Sequence, residues 1–511
     1  MSMKLMTGKD YVLSLKEYNP DIQVKGKKVK SVADEPLFKP GINAIAVTYE
    51  LAHQKKHQDI MLATLEDGTK VNRLNALDFS TDDLLKKLEM TRLICKWTGC
   101  GQRYLMHDAL GALAEITATM DADKNTDYFS VFKDYLLHVQ KHDLTCATAV
   151  TDAKGDRSKR PHEQADPNLY VHVVEKNQKG IIVRGAKANI TGAPYVHEFI
   201  VLPTRAMQKE DVDYAVSFAV PVDAPGLKII AKPAGRPEDT EAPFSSNFGQ
   251  STALVIFNDV FIPWDRVFLC GEWEYAGKLA EAFANHHRHS CIGARAGLGD
   301  MIIGASALMA EYNGLPHTDV PHIRRSMGEL IRITEGFYAT GVAASVYGHK
   351  TVAGNFVPDS VQSNIGKLML AEQVYDIFRI AHEISGGIVA TAPTPEDIAI
   401  PEAGELIDRY LVGKHGVTAE ERIKMARFIE DLTASKEGGF YSIISLHGGG
   451  SPEAMRMSAV RNYDFESQKE HILHKLACFA KLEGTCKGCE TCVNDELCEQ
   501  ECESAIAIED H

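Results

Sequence analysis

Apolar residues recur at helical spacing in the first part of the chain. Residues 81–90 begin with a threonine and acidic residues, and residues 108–120 and 129–140 carry alanine, leucine and aromatic stripes. A period of 3.6 residues places such positions on one face of a helix. A threonine followed by early acidic residues is typical of a helix start. The pattern predicts an α-helical domain over residues 1–145.

The period changes to two near residue 146. Residues 169–175 alternate, residues 177–180 form a turn signal, and residues 181–184 resume the alternation, which is typical of a β-hairpin. Further short apolar runs have the length of strands and lie at residues 199–202, 214–220, 227–231, 253–257 and 260–263. The pattern predicts a β-barrel-like middle domain over residues 146–275.

Helical periodicity returns from about residue 276 and continues to about residue 482, with interruptions at Pro401, Gly413 and the glycines 448–450. We expect a helical bundle over residues 276–485 and an appended polar tail over residues 486–511. A chain of 511 residues is too long for one hydrophobic core. The order of helices, strands and helices therefore predicts an α+β protein of several domains.

Composition indicates a soluble cytoplasmic protein. Hydrophobic residues make up 44% and charged residues 24%, and we see no apolar run of membrane-spanning length and no signal peptide. The net charge of −15 argues against a nucleic-acid partner. The tail holds eight acidic residues and one basic residue, so the rest of the chain is only mildly acidic. An anionic ligand such as coenzyme A is compatible with the mild negative charge of the chain outside the tail.

Four stretches carry a family resemblance. They read AVTDAKGDR at residues 149–157, VRGAKANITG at 183–192, VFIPWDRVF at 260–268 and HGGGSP at 447–452. Over residues 3–480 the chain resembles the flavoproteins that include 4-hydroxybutyryl-CoA dehydratases and 4-hydroxyphenylacetate 3-hydroxylases, within the acyl-CoA dehydrogenase superfamily. The resemblance implies an acyl-CoA dehydrogenase-like fold, an FAD cofactor and an acyl-CoA substrate. It also implies a homotetramer in which a neighbouring subunit completes the FAD site near Gly386 and Gly387.

The first two of these stretches lie against FAD in that family. The resemblance therefore predicts flavin contacts for Val150, Thr151, Asp152, Lys154, Gly155, Asp156, Arg157, Asn189, Ile190, Thr191 and Gly192. Backbone donors and small hydroxyls at turns can approach an isoalloxazine edge or a pyrophosphate. Thr191 and Gly192 are expected near the flavin ring. A structural ion pair between Asp156 and Arg157 is the alternative for those two residues.

The dehydratases also hold a [4Fe–4S] cluster through two segments that read C-x3-C and H-x6-C. Here Cys100 and His287 occupy two of the four positions, but Tyr104 and Ala294 occupy the others. A phenol oxygen is a poor ligand for cluster iron, and alanine offers no ligand atom. The sequence therefore predicts a core without the cluster, in which Cys100 is an orphaned ligand.

His287, Tyr104 and Cys291 are the candidate catalytic residues. His287 is our expected base, because an imidazole freed from iron can move a proton near neutral pH. Tyr104 could hydrogen-bond, could place its ring against a cation, or could fill the volume of the cluster. Cys291 stands where the dehydratases have a tyrosine, and Thr252 and Ile444 replace their acidic residues. The hydroxylases place a histidine near the position of Thr148, which this chain lacks.

The tail holds five cysteines with a ferredoxin-like start. They are Cys486, Cys489, Cys492, Cys498 and Cys502. The first three follow C-x2-C-x2-C, but the later spacing departs from the ferredoxin pattern. An iron–sulfur cluster, zinc and an acidic segment with no metal all remain open.

A flavin site without iron suits a leaving group that can depart without a Lewis acid. Loss of hydroxide from Cγ of an acyl-CoA benefits from a Lewis acid, whereas a neutral amine can leave a quaternary ammonium without one. The chain therefore resembles a γ-butyrobetainyl-CoA trimethylamine-lyase of this family, which would release trimethylamine and crotonyl-CoA. The alternatives are a vinylacetyl-CoA Δ-isomerase, a 4-hydroxybutyryl-CoA dehydratase-like enzyme, a flavin-dependent aromatic monooxygenase, and a non-enzymatic electron-transfer or scaffold protein that uses its cysteine tail.

Overall fold

The computed structural model describes residue 3 and residues 5–482, with side chains described as far as residue 476. The described residues up to Ser458 form one compact unit, and the described residues from Ala459 onward belong to a second. The domain boundaries expected from the sequence at residues 145, 275 and 485 stay predictions.

Six helices precede the β region, and the predicted stripes lie in the last three of them. Their bounds are α1 Gly8–Ser14, α2 Lys39–His53, α3 Gln58–Met61, α4 Thr81–Thr98, α5 Tyr104–Lys124 and α6 Tyr128–His142. Ser80 caps α4 by accepting a hydrogen bond from the backbone N–H of Asp83. Helix α4 ends at Gly99, whose φ of 69° favours glycine. This turn directs the chain from α4 into the start of α5.

Within the described part of the chain, fourteen strands form two larger sheets and two hairpins. Their bounds are β1 Asp21–Val24, β2 Lys27–Lys28, β3 Leu62–Thr64, β4 Lys70–Asn72, β5 Cys146–Ala149, β6 His172–Asn177, β7 Gly180–Thr191, β8 Glu198–Val201, β9 Val216–Pro221, β10 Leu227–Ala231, β11 Thr252–Pro263, β12 Val267–Cys270, β13 His349–Lys350 and β14 Phe356–Val357. The runs at residues 253–257 and 260–263 are one strand, β11, with an irregularity between Phe257 and Val260.

The barrel-like middle region consists of two separate sheets rather than a closed barrel. One sheet has the order β2-β1-β10-β11-β7-β6 and the other the order β12-β9-β8-β5. Within residues 5–482 neither sheet closes on itself. The sheets face each other through apolar side chains, with the rings of Phe218 and Phe257 5.8 Å apart between centroids. Strand β1 joins this layer from the N-terminal region by pairing parallel to β10.

The C-terminal region is helical, as predicted. Its helices are α7 Trp273–Tyr312, α8 Pro321–Val346, α9 Ser360–Ser385, α10 Ile388–Thr391, α11 Pro395–Ala399, α12 Pro401–Tyr410, α13 Ala419–Thr433, α14 Lys436–His447, α15 Pro452–Asn462 and α16 Phe465–Leu482. Helix α7 alone among the described helices is long and apolar enough to cross a membrane. Because 67% of its most apolar window is buried inside the protein, α7 reads as a core helix.

Helices α4 and α7 approach each other at backbone distance. A Cβ at Gly293 would lie 2.1 Å from Thr91 Oγ1, and one at Gly297 would lie 2.3 Å from the carbonyl oxygen of Arg92. Only glycine leaves room for such a contact. This close approach brings the C-terminal end of α4 against the middle of α7.

A buried ion pair fixes the segment between α4 and α5. Arg103 Nη2 lies 2.6 Å from Asp143 Oδ1, both side chains are almost fully buried, and the guanidinium lies 3.9 Å from the centre of the Tyr49 ring. Asp143 also accepts hydrogen bonds from the backbone N–H of Met6 and the side chain of Asn75. The pair therefore ties residues 99–103 to the end of α6.

We expect Asp143→Asn to destabilise the protein by about 3–5 kcal/mol, because the buried charge of Arg103 loses its partner. Asparagine tolerates the left-handed backbone of position 143, where φ is 50°, so the charge is the main change. The measurement is the thermal unfolding midpoint at one scan rate. Asp134→Asn, on the exposed face of α6, is the control and should leave the midpoint nearly unchanged. Equal midpoints for both variants would contradict the assignment.

Candidate active site

One face of α7 carries the central residues of the site. Positions 287, 290, 291, 294 and 295 share this face because they are three, four, seven and eight residues apart. The residues are His287, Ser290, Cys291, Ala294 and Arg295, and all are buried. The start of α5 and the end of α4 provide the opposite wall. The structure thus brings together all three predicted catalytic residues with Cys100 and Ala294.

His287 contacts partners on every side. Its Nδ1 lies 3.0 Å from Asp108 Oδ2, and its Nε2 lies 3.5 Å from Cys291 Sγ. Its ring stacks with the rings of Tyr104 and Phe283, with centroid distances of 6.0 Å and 5.4 Å. Burial alone would lower the pKa of His287, but Cys291 and Asp108 raise it to about 10. The pKa of His287 thus lies above the expected value near neutrality, because the Asp108 carboxylate and the Cys291 sulfur stabilise the imidazolium.

Asp108 is the centre of this arrangement, and sequence reasoning missed it. It accepts a hydrogen bond of 2.6 Å from Ser290 Oγ, and Lys87 Nζ lies 2.9 Å from its Oδ1. Burial would raise the pKa of Asp108, but Lys87, His287 and Ser290 hold it well below its usual value. A carboxylate therefore stays ionised at the back of the site and fixes the orientation of the imidazole.

Arg295 places a buried cation among the sulfur atoms. Burial opposes its charge, but Cys100, Tyr104 and Cys291 raise its pKa. Its Nη1 has no hydrogen-bond partner among the described residues. The thiol of Cys95 is the main cause that lowers the pKa of Cys100, and Arg295 adds to it. Sequence reasoning also missed Arg295, although its spacing of eight residues from His287 was a readable signal.

The residues present do not fit the family's iron–sulfur cluster. The Tyr104 hydroxyl lies 3.5 Å from Cys100 Sγ, so it contacts the thiol rather than leaving space beside it. The guanidinium of Arg295 adds a positive charge next to the remaining ligand positions. Within residues 5–482, no group of three or more His, Cys, Asp or Glu is arranged to hold a metal. The five tail cysteines, Cys486, Cys489, Cys492, Cys498 and Cys502, lie outside the described residues.

The two predicted flavin stretches lie side by side. The backbone N–H of Ala188 donates to the carbonyl of Thr151 at 2.8 Å, and Asp152 Oδ1 lies 2.9 Å from Lys187 Nζ. Lys187 also donates to the carbonyl of Val150. The side chains of Asp152 and Lys187 are therefore engaged within the protein and join the loop after β5 to strand β7. Ile190 likewise packs in the core between the sheets.

The exposed end of the first stretch is positively charged. The side chains of Lys154, Arg157 and Arg205 make no hydrogen bond or ion pair with a described residue, and burial together with Arg157 lowers the pKa of Lys154. The alternative of an Asp156–Arg157 ion pair is not seen among the described contacts, because Asp156 accepts hydrogen bonds from Ser158. Three cations without partners fit a pyrophosphate or another phosphate group.

The end of the second stretch lies beside the α4–α5 segment. A Cβ at Gly192, where φ is 73°, would lie 2.8 Å from Gln102 Oε1. Gln102 in turn accepts a hydrogen bond of 3.0 Å from the Tyr195 hydroxyl. Gln102 follows Cys100 by two positions in the chain, so the predicted flavin stretch adjoins the segment that carries the thiol. Thr191 is half-buried and pairs with Thr252 across β7 and β11.

The glycine run after α14 closes the other side. A Cβ at Gly449 would lie 3.4 Å from His287 Cδ2, and the Gly449 carbonyl accepts a hydrogen bond of 2.9 Å from Arg288 Nε. Gly449 and Gly450 have φ values of 76° and 108°, which favour glycine. The fourth stretch that carries the family resemblance, residues 447–452, therefore packs directly on His287.

Comparison with known proteins agrees with this arrangement. Sequence models described as the N-terminal and C-terminal regions of 4-hydroxyphenylacetate 3-hydroxylase match residues 7–269 and 276–477. The chain is 38% identical to the 4-hydroxybutyryl-CoA dehydratase/vinylacetyl-CoA Δ-isomerase of Clostridium aminobutyricum, over 91% of this chain and 98% of that protein. It is 28% identical to a 4-hydroxyphenylacetate 3-monooxygenase oxygenase component of Thermus thermophilus, over 91% and 96%.

Solved structures give the same two groups. An oxygen-tolerant archaeal 4-hydroxybutyryl-CoA dehydratase from N. maritimus superposes with a TM-score of 0.89 at 36% identity, covering 95% of this chain and 96% of that one. An oxygenase component of 4-hydroxyphenylacetate 3-monooxygenase in complex with FAD superposes with a TM-score of 0.82 at 26% identity, covering 93% and 99%. The expected acyl-CoA dehydrogenase-like arrangement of helices, sheets and helices is thereby confirmed.

The absence of a core cluster stays a prediction, and iron analysis tests it. A variant lacking residues 486–511, purified and reconstituted under anaerobic conditions, should contain no stoichiometric iron or sulfide. Tyr104→Cys/Ala294→Cys in the same truncated chain is the matched control, because it restores two thiolates at the family's ligand positions. Four iron atoms per chain in the truncated parent would show that the core still assembles a cluster.

Proposed function

The chain belongs to the 4-hydroxyphenylacetate 3-hydroxylase family, and from that premise we propose an FAD-dependent enzyme that acts on an acyl-CoA. More closely, we propose that it eliminates trimethylamine from γ-butyrobetainyl-CoA and forms crotonyl-CoA. The relatives with FAD and acyl-CoA in their names support the cofactor and the substrate class. A cytoplasmic homotetramer is part of the proposal and rests on the family resemblance.

The residues of the two flavin stretches fit FAD. Lys154, Arg157 and Arg205 offer unpaired cations for the pyrophosphate, and Thr191 and Gly192 offer a hydroxyl and an open backbone near the catalytic residues. When bound there, FAD supplies a group that accepts and returns a hydride. Asp152 and Lys187 contribute by holding the two stretches together rather than by contacting the flavin with their side chains.

The observation that carries the reaction is the composition of the site around His287. The histidine and its carboxylate partner Asp108 are present, whereas two of the four cluster positions are Tyr104 and Ala294. Expulsion of hydroxide is the step that iron assists in the family, and a tertiary amine leaves without that help. The overall reaction is redox-neutral and yields trimethylamine, crotonyl-CoA and one proton.

The ring and the hydroxyl of Tyr104 are both in contact with protein groups, so the ring is not a free aromatic face for a substrate cation. Its ring stacks on His287, and its hydroxyl contacts Cys100. The cation that lies against the ring is therefore the imidazolium of His287. Arg295 further restricts where a quaternary ammonium can lie, because like charges repel strongly in a buried site. The sulfur atoms of Cys100 and Cys291 are electron-rich and would offset part of this repulsion between the two cations.

The vinylacetyl-CoA Δ-isomerase is the second candidate. Its reaction needs a group that moves a proton between carbons and needs no leaving group. The adjacent Cys291, His287 and Asp108 meet that requirement by themselves. The relative from C. aminobutyricum carries the isomerase in its name.

The FAD proposal predicts a yellow protein with one FAD per chain at saturation. Arg157→Ala should raise the Kd for FAD about tenfold or more, because a charge-assisted contact to phosphate contributes about 1.5–3 kcal/mol. Flavin fluorescence titration of the apoprotein measures it. Lys159→Ala, an exposed basic residue two positions away, is the control and should bind FAD nearly as well as the parent. An apoprotein that cannot be reconstituted would sink the proposal.

The reaction is assayed directly by trimethylamine release from γ-butyrobetainyl-CoA under anaerobic conditions. We expect equimolar trimethylamine and crotonyl-CoA from the holoenzyme, and much slower turnover of 4-hydroxybutyryl-CoA. His287→Gln should reduce the rate by about 10²–10⁴-fold while leaving the flavin spectrum intact. Dehydration of 4-hydroxybutyryl-CoA without any amine release would contradict the proposal, and turnover of vinylacetyl-CoA alone would establish the isomerase.

A further inference from the structure

The side chains of Cys291, His287 and Asp108 contact one another in that order. Cys291 Sγ lies 3.5 Å from His287 Nε2, and His287 Nδ1 lies 3.0 Å from Asp108 Oδ2. A thiol, an imidazole and a carboxylate in this order are the arrangement that activates a sulfur atom. Cys291 and His287 are one helical turn apart on α7, so the helix itself holds the first contact.

The charges around Cys291 are positive from two helices. On α7 they come from His287 and Arg295, and on α9 from Lys367, whose Nζ donates to the Ser445 carbonyl at 2.6 Å. The facing titratable groups of the α4–α5 region are Tyr104 and Cys100, which lie around the same guanidinium. Burial would raise the pKa of Cys291, but His287, Lys367 and Arg295 together lower it.

His287 has no free nitrogen for the substrate. One nitrogen is directed at Asp108 and the other at Cys291, and the rings of Tyr104 and Phe283 both stack near the imidazole ring. Because both of its nitrogens are engaged by protein groups, this imidazole offers no nitrogen that could take a proton from the substrate. It can stabilise a thiolate next to it, which leaves the sulfur atom as the basic atom of the pair.

We propose that Cys291 is the proton acceptor of this site, and that His287 and Asp108 are positioning residues that keep its sulfur anionic. Cys291 removes the proton from the carbon next to the thioester carbonyl of an acyl-CoA. The inference rests on the proposed substrate class, but it does not depend on the leaving group.

The step is balanced within the site and the substrate. The Cα–H bond breaks, an S–H bond forms on Cys291, and the electron pair stays on the substrate as the thioester enolate. Return of the proton from the thiol to the same carbon regenerates the starting materials. In D2O this reversible step exchanges the α-hydrogens of the substrate for deuterium.

The test is deuterium exchange into butyryl-CoA, which has no γ-leaving group. The wild-type holoenzyme in D2O should incorporate deuterium at Cα, measured by mass spectrometry of the recovered thioester. Cys291→Ser should slow the exchange by about 10²–10⁴-fold, because an alcohol is a far weaker base at neutral pH. Cys291→Asp, which restores an anionic base, should recover part of the rate. Flavin absorbance and the unfolding midpoint establish that each variant is folded.

His287→Gln separates a positioning role from a direct one. Without the imidazolium the pKa of Cys291 rises, so the pH midpoint of exchange should move upward while high pH restores much of the rate. If His287 were the base, His287→Gln would abolish exchange at every pH and Cys291→Ser would exchange like the parent. Cys270→Ser, at another buried thiol, is the control and should exchange at the parent rate.

Two outcomes overturn the inference: parent-like exchange in Cys291→Ser, or no exchange by the wild-type holoenzyme. Failure of the proposed function gives a different result. Cys291-dependent exchange without any trimethylamine release would leave the inference standing and refute the choice of leaving group. Trimethylamine release together with parent-like exchange in Cys291→Ser would refute Cys291 and keep the function.

Discussion

The ionised carboxylate of Asp108 is the interaction on which the site depends. It is fully buried and binds Lys87 of α4, and His287 and Ser290 of α7, from its own place on α5. A buried carboxylate is costly unless every partner is present, so the three helices must pack in one register around it. The orientation of His287, and through it the state of Cys291, follows from that register.

In the rest of the site, the charge of a guanidinium stands where the family resemblance implies the charge of an iron–sulfur cluster. The family resemblance implies four iron ligands at this place, but this chain has Tyr104 and Ala294 at two of the four positions and places the guanidinium of Arg295 beside the thiols of Cys95, Cys100 and Cys291. A guanidinium stabilises anionic sulfur but cannot act as a Lewis acid for a departing hydroxide. In the proposed function, this exchange of residues determines which leaving groups the site can release, and Cys291, His287 and Asp108 are the groups that handle the proton.

The flavin side and the proton side are linked by the short segment between α4 and α5. Gly192 approaches Gln102 at one end, and Cys100 and Tyr104 face His287 and Arg295 at the other. The buried pair of Arg103 and Asp143 holds this segment in place. In the proposed function, this segment would orient both the flavin stretch and the residues around His287, so a change that destabilises the segment is expected to reduce activity as well.

The sequence by itself determined the order of helices and strands, because periods of 3.6 and two residues are local properties of the chain. It also determined the family, through short stretches whose residues match motifs, and the loss of two cluster ligands. Tertiary packing decided that the strands form two open sheets rather than a barrel. The apolar faces of the two sheets meet, as the contact between Phe218 and Phe257 shows. The pairing of Asp108 with Lys87 and His287, and the position of Arg295 among the thiols, were likewise decided only by tertiary packing. These partners lie on separate helices, up to 200 residues apart in the chain, and burial is what makes their charges interact strongly.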